Sequence, residues 1–266
     1  MSYEENALSM NLSHSHNKIL QLIKEQYLDI LGDNLTGIYV HGSIAFGCFN
    51  WEKSDIDFIV VINEKIDIET KLKLLWCLET LRPEFPKKGP EMSVVLKEYC
   101  LHFQYPTPYE LHFSYGWLER YLTDPLLLCG DDRKVDPDLA AHFTVINAVG
   151  RVLYGQPIPE VFSPIDKSYY VDSIINDISD AENEILQNPL YILLNLCRVA
   201  AYIKDGLVLS KEAGGEWGLT NLPSNYHSLL QEGLDCYHSD RQMENASDLA
   251  VAFSRFMIAE IMSDRR

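Results

Sequence analysis

The sequence predicts an α+β protein in two parts: a mixed β-sheet with flanking helices over residues 1–163, then an all-α helical bundle over 164–266. Three observations carry this expectation. In the first part, short β-rich apolar runs at 35–40, 58–61 and 91–96 alternate with segments whose apolar residues recur at helical spacing. In the second, about 100 residues carry apolar side chains three and four positions apart almost throughout. Between them, Gly155-Gln156-Pro157-Ile158-Pro159 through Ser163-Pro164 places three prolines and a glycine in ten residues, the strongest boundary signal in the chain.

Taken in order, residues 15–31 set Ile19, Leu20, Leu22, Ile23, Tyr27, Leu28 and Leu31 at helical spacing, with Gly32 as the stop. Ser13-His14-Ser15-His16 reads as a solvated tail before it. A strand, a tight turn and a strand are expected through Gly42-Ser43 and Asp55-Ile56-Asp57 into Phe58 to Val61. A second helix follows at 69–81, then a loop, because Pro83, Pro86 and Pro90 lie within eight residues. Residues 105–121 concentrate aromatics and His112 in an irregular or β segment, which either lines a cleft or packs the core. A helix is expected at 139–152, with Asp136 or Asp138 capping its start.

In the second part, helices are expected at 167–187, 189–204, 224–238 and 241–263. Pro189 after Asn188 suits a first helical turn. Arg198 stands at the edge of an apolar stripe, open to a ligand or to a salt bridge. Residues 209–217 are glycine-rich but lack the spacing of a phosphate loop, so a turn between helices is expected there, with Lys211 near enough for a phosphate.

Composition narrows the function. With 22 Lys plus Arg against 39 Asp plus Glu, the formal net charge is −17, which repels nucleic acid and attracts cationic ligands. No stretch approaches the roughly 20 apolar residues that span a membrane, and the first 18 residues lack the basic and apolar blocks of a signal peptide. A cytoplasmic protein without membrane or nucleic-acid partners is expected. The six cysteines are far apart with no C-x-x-C pair, which argues for reduced packing residues.

The chemistry concentrates at Gly42-Ser43 and Asp55-Ile56-Asp57. Side chains alternate along a strand, so Asp55 and Asp57 share one face. Two adjacent carboxylates repel unless a hard cation such as Mg2+ holds both ionised, and Mg2+ in turn favours phosphate oxygens. Glu91 opens the next β run, where it is either a third carboxylate beside that strand or a surface glutamate at a strand edge.

Gly42-Ser43, Asp55-x-Asp57 and the later Glu91 resemble the signature of the DNA polymerase beta-like nucleotidyltransferase superfamily. With the helical second half and Glu216-Trp217, Leu222-Pro223 and Tyr226, nearly the whole chain resembles the aminoglycoside 3''/9-adenylyltransferases that inactivate streptomycin and spectinomycin. The resemblance implies an N-terminal nucleotidyltransferase domain and Mg-ATP bound between two domains. It also implies attack by an antibiotic hydroxyl on the α-phosphorus, with pyrophosphate released. Carried over by residue, it implies that Asp55 and Asp57, with Glu91, hold one or two Mg2+ ions. Ser43 and Ser54 then touch the triphosphate beside Gly42, and Glu91 is the general base. Asp138, Arg198, Lys211 and Tyr237 fall at further nucleotide contacts.

On the acceptor side the resemblance implies Trp117 and Asn188. Streptomycin-modifying members carry an aspartate where this chain has Asn188. An amide keeps a hydrogen bond but not the charge that would neutralise a guanidinium, and stranding a buried cation costs roughly a few kcal/mol. Spectinomycin is therefore the expected acceptor, and a monomer using ATP and a cationic small molecule the expected enzyme. The alternatives are a nucleotidyltransferase of this fold acting on another hydroxylated acceptor or a protein, and a nucleotide-binding regulator.

Overall fold

The computed structural model describes residues 3–130, 134–239, 241–243 and 248–264, with side chains from residue 16 onward. The chain divides into two compact units, Met1–Ile165 and Asp166–Arg266. The first is α+β and the second mostly helical. Among the described residues no helix is long and apolar enough to cross a membrane.

In the first unit, α1 (Tyr3–Leu31) leads into β1 (Leu35–Val40), the short helix α2 (Gly42–Phe46), β2 (Ile56–Ile62), α3 (Ile68–Thr80) and β3 (Pro90–Leu96). Then come α4 (Lys97–Leu101), β4 (Thr107–Tyr109), β5 (Leu111–Ser114), α5 (Leu118–Thr123) and α6 (Leu126–Cys129). The unit closes with β6 (Lys134–Asp136), α7 (Leu139–Val149), β7 (Arg151–Gly155) and α8 (Ile158–Val161). Five strands form one mixed sheet in the order β5-β3-β2-β1-β7, while β4 and β6 pair separately. Only the β2–β3 pairing is parallel, joined across α3; the other pairs of the large sheet are antiparallel.

The strand period of two divides the core. Ile38, Val40, Ile56, Phe58, Val60, Met92 and Val94 face one side with Ile23 and Tyr27 of α1 and Leu74 and Leu78 of α3. Tyr39, Ile59, Val61 and Val95 face the other with Leu139, Phe143 and Ile146 of α7. Burying a side chain such as Phe58 completely stabilises by about 1.5–3 kcal/mol. Asp57 and Glu91 share the parity of Ile59 and Val95, so the carboxylates stand on the α7 side.

Several local expectations are corrected. Gly42-Ser43 opens the short helix α2 and is not a simple tight turn. The segment around His14 to His16 lies within α1, where the apolar spacing that begins at Ile19 simply extends backward. The helix expected at 139–152 ends at Val149, and Val152 joins β7, where it pairs with Tyr39. After Gly150, the β-branched and aromatic run Val152-Leu153-Tyr154 gains more as an edge strand on β1 than as helix.

The second unit contains α9 (Lys167–Asp177), α10 (Ala181–Glu184), α11 (Pro189–Asp205), α12 (Lys211–Asn221), α13 (His227–His238) and α14 (Asp248–Asp264). The single helix expected at 167–187 is two, because Ser179-Asp180 lies between them in a turn, where short polar side chains compete for backbone hydrogen bonds. Of the helix expected at 241–263, residues 241–243 are not helical and 244–247 lie outside the described residues. The glycine-rich stretch expected as a turn is instead the first half of α12. Glycine lowers helix stability by about 1 kcal/mol relative to alanine, but packing overrides that here. A Cβ on Gly214 would sit 2.8 Å from the backbone N and the Cβ of Arg198, so only glycine lets α12 approach α11 this closely.

Candidate functional site

β2 and β3 run parallel in the register Asp57↔Glu91. Of the two placements open to Glu91 in sequence, the structure has the one beside Asp57. Asp55, Asp57 and Glu91 each direct one carboxylate oxygen into a space where these atoms lie within 4.8 Å of one another. Asp57 is buried and the other two are half-buried. Three hard oxygen donors of like charge suit a divalent cation such as Mg2+, which relieves their repulsion.

Gly42 is shaped by the same cluster. Its φ is +58°, and an added Cβ would fall 1.8 Å from an Asp57 carboxylate oxygen. Neither the backbone conformation nor the space admits a side chain. The adjacent Ser43 Oγ is buried with no hydrogen-bond partner, an arrangement that costs stability unless a ligand completes it. Ser54 is buried, and its Oγ accepts from the Asn50 N–H at 3.1 Å, closing the loop ahead of Asp55.

Two histidines unassigned by sequence, His41 and His142, stand beside the cluster. His41 follows β1 directly, and its N–H donates to the Asp57 carbonyl at 3.0 Å. Its ring lies 4.7 Å from that of His142 on α7. Burial, and then His142, hold the His41 pKa well below the usual imidazole range, so the ring is neutral at physiological pH. His142 Nε2 stands 3.8 Å from Glu91 Oε1. Ser93 Oγ and His112 Nδ1 are hydrogen-bonded at 2.9 Å. The signals were faint: His41 merely precedes Gly42, and His142 lies one helical turn beyond Asp138.

Glu91 also borders a cavity of about 290 Å³ lined by Tyr109, His112, Trp117, Val135, Asp136 and Asp138. One wall is the small β4–β6 ribbon, with Tyr109 paired to Lys134 and Thr107 to Asp136. Asp136 Oδ1 accepts from the Asp138 N–H at 2.8 Å. Asp138 occupies the N-cap position of α7, but its side chain makes no capping bond, which corrects the capping role expected for it. Burial, then the Asp136 carboxylate, raise the Tyr109 phenol pKa. The His112 pKa is lowered by burial against the opposing pull of Asp136. The cavity thus combines aromatic faces with carboxylates, a lining suited to a cationic, partly apolar ligand.

The remaining sequence-predicted residues belong to the helical unit. Lys211 at the start of α12 reaches Tyr191 of α11: its ammonium lies 4.4 Å from the Tyr191 ring centroid. Tyr191 in turn shares Asp177 with Arg198. Asn188 is exposed at the N-cap position of α11, where its side chain makes no capping bond. Tyr237 is buried in an apolar cluster with Leu194 and Leu234.

Comparisons with known proteins agree with this architecture. The sequence profile described as "Aminoglycoside adenylyltransferase, C-terminal domain" matches residues 160–260. An aminoglycoside (3'') (9) adenylyltransferase of Rhizobium radiobacter is 23% identical over 275 aligned positions, covering 98% of this chain and 96% of the relative. A spectinomycin 9-adenylyltransferase of Staphylococcus aureus is 24% identical, covering 76% of this chain and 77% of its own length. Residues 160–260 thus match the C-terminal domain of the aminoglycoside adenylyltransferases, and over most of its length the chain is similar to 3''/9-adenylyltransferases. The relatives that it matches are adenylyltransferases, which are nucleotidyltransferases. Its fold is also that of the spectinomycin adenyltransferase AAD(9) of Enterococcus faecalis, solved with ATP and spectinomycin. The TM-score is 0.78 at 17% identity, covering 92% of this chain and 99% of that one.

Proposed function

We propose that this protein transfers AMP from Mg-ATP to a hydroxyl of an aminocyclitol antibiotic, with spectinomycin preferred to streptomycin. One observation carries the reading: Glu91 belongs both to the carboxylate cluster with Asp55 and Asp57 and to the wall of the aromatic and acidic cavity. A base for an attacking hydroxyl has to face the metal-nucleotide and the acceptor together.

In this reading Asp55, Asp57 and Glu91 hold Mg2+, which would neutralise phosphate charge when bound. Gly42, Ser43, Ser54, Asp138, Arg198, Lys211 and Tyr237 contact the nucleotide. The orphaned Ser43 hydroxyl is consistent with a phosphate partner. Trp117 offers an aromatic face to the acceptor, and Asp136 adds negative charge beside it. Glu91 accepts the proton of the acceptor hydroxyl, whose oxygen bonds to the α-phosphorus as the bond to the β-phosphate bridging oxygen breaks. Pyrophosphate leaves with that electron pair. The His41 ring, kept neutral by burial, adds no fixed positive charge to compete with the substrate's cation.

The preference for spectinomycin rests on Asn188, an amide without the charge a guanidinium needs, and on the spectinomycin-modifying relatives. Expression in a sensitive bacterium is expected to raise spectinomycin tolerance well above streptomycin tolerance, and Glu91→Gln is expected to abolish the gain. No change with either drug contradicts the acceptor class. An equal gain with both contradicts the role given to Asn188.

A further inference from the structure

We propose that Asp177, Tyr191 and Asn195 are positioning residues that hold Arg198 and Lys211 as a two-cation clamp for the polyphosphate. The inference rests on the nucleotide role proposed above for Arg198 and Lys211.

Asn195 is the keystone. It is fully buried on α11, where an unpaired amide would be destabilising. Both ends of its amide are used: Nδ2 donates to Asp177 Oδ2 at 2.8 Å, and Oδ1 accepts from Arg198 Nε at 2.5 Å. Arg198 Nη2 lies 3.5 Å from the same Asp177 oxygen. One edge of the guanidinium is therefore committed to protein acceptors. The fork has five N–H donors, so the Nη1 edge still offers donors, and the side chain is 30% exposed.

Asp177 extends the network to the second cation. It accepts from the Tyr191 hydroxyl at 3.1 Å, and the face of that ring carries the Lys211 ammonium, an attraction of the ring's negative face for a cation. Tyr191, Asn195 and Arg198 lie on one helix at four- and three-residue spacing, so they share a face. Gly214, three residues after Lys211, rests on the Arg198 backbone and brings the start of α12 to that face. The network thus fixes a planar, bidentate donor and a point charge on one scaffold. The two donors are a guanidinium and an ammonium, in a chain whose net charge is −17. A polyanion is the ligand such an arrangement fits.

The test measures binding and steady-state kinetics of the full-length protein and of Tyr191→Phe and Asp177→Asn. Tyr191→Phe removes one hydroxyl and keeps the ring beneath Lys211, so it remains informative if Asp177→Asn fails to fold. Both variants are expected to raise KM for Mg-ATP about tenfold and to weaken inorganic tripolyphosphate binding to a similar degree. AMP affinity, KM for the acceptor and melting temperature should stay near wild type, with kcat changed less than threefold. Unchanged ATP and tripolyphosphate binding in Tyr191→Phe overturns the clamp while leaving the nucleotide reading intact. A parallel loss of AMP and ATP affinity also overturns it, by showing a general structural effect. A wild-type protein that binds no Mg-ATP overturns the nucleotide reading and the clamp together.

Discussion

Asp57→Asn is expected to lower kcat/KM for adenylyl transfer by at least about a thousandfold. Neutralising charge on a transferring phosphoryl group with a bound metal is worth several kcal/mol, and each 1.36 kcal/mol is tenfold. Asp57 is the most buried of the three clustered carboxylates and lies directly across the strand pair from Glu91. Its replacement removes one metal donor without changing side-chain size. Stability distinguishes this role from that of an ordinary acidic strand end. Without metal, three carboxylates within 4.8 Å repel one another, so the variant should melt no lower than wild type. Adding Mg2+ should raise the melting temperature of wild type and leave the variant nearly unmoved, because a ligand stabilises only the folded state that binds it. A metal-independent wild type, or a variant retaining most of its activity, contradicts the assignment.

The second large effect is on folding. Lys71 of α3 and Glu110, between β4 and β5, form an ion pair at 3.3 Å with side chains 4% and 12% exposed. Glu110 adjoins Tyr109, and its N–H donates to the Val94 carbonyl at 2.8 Å, so the pair ties α3 to the strand that carries the cavity wall. Lys71→Met leaves a carboxylate buried without its cation, and breaking such a pair costs about 3–5 kcal/mol. For a unit of this size that corresponds to a fall in melting temperature on the order of 10 °C. The double variant Lys71→Met/Glu110→Leu should recover most of the loss, since an apolar pair replaces a buried ion pair at little cost. Thermal unfolding of the three proteins checks this. A single variant as stable as wild type would show that the Glu110 carboxylate is well solvated despite its burial.

How much of this was legible in sequence depended on how local the controlling contacts are. The shared face of Asp55 and Asp57 follows from the two-residue period of a strand, and it is present in the structure. Glu91 stayed open because its neighbour is set by a parallel register formed across α3, which no local pattern encodes. His41 and His142 were missed for a related reason: their pairing depends on where α7 docks on the sheet. The cavity wall had the same limitation, since Tyr109 and Asp136 meet only through the β4–β6 ribbon. In the helical unit, Gly214-Gly215 suggested a turn by propensity, whereas the tight approach of α12 to α11 decided the outcome. That same approach carries Lys211 to Tyr191, so the misread glycines position a residue that the resemblance had already singled out.

The central claim is that Glu91 joins a metal-nucleotide site to an acceptor cavity for AMP transfer. The most direct measurement is mass spectrometry of spectinomycin incubated with the purified protein, ATP and Mg2+, with pyrophosphate assayed in parallel. The expected result is a product heavier by one adenylyl group, pyrophosphate in equal amount, and loss of both in a folded Glu91→Gln variant. Absence of the adenylylated drug from a folded, ATP-binding protein, or full product formation by Glu91→Gln, would contradict it.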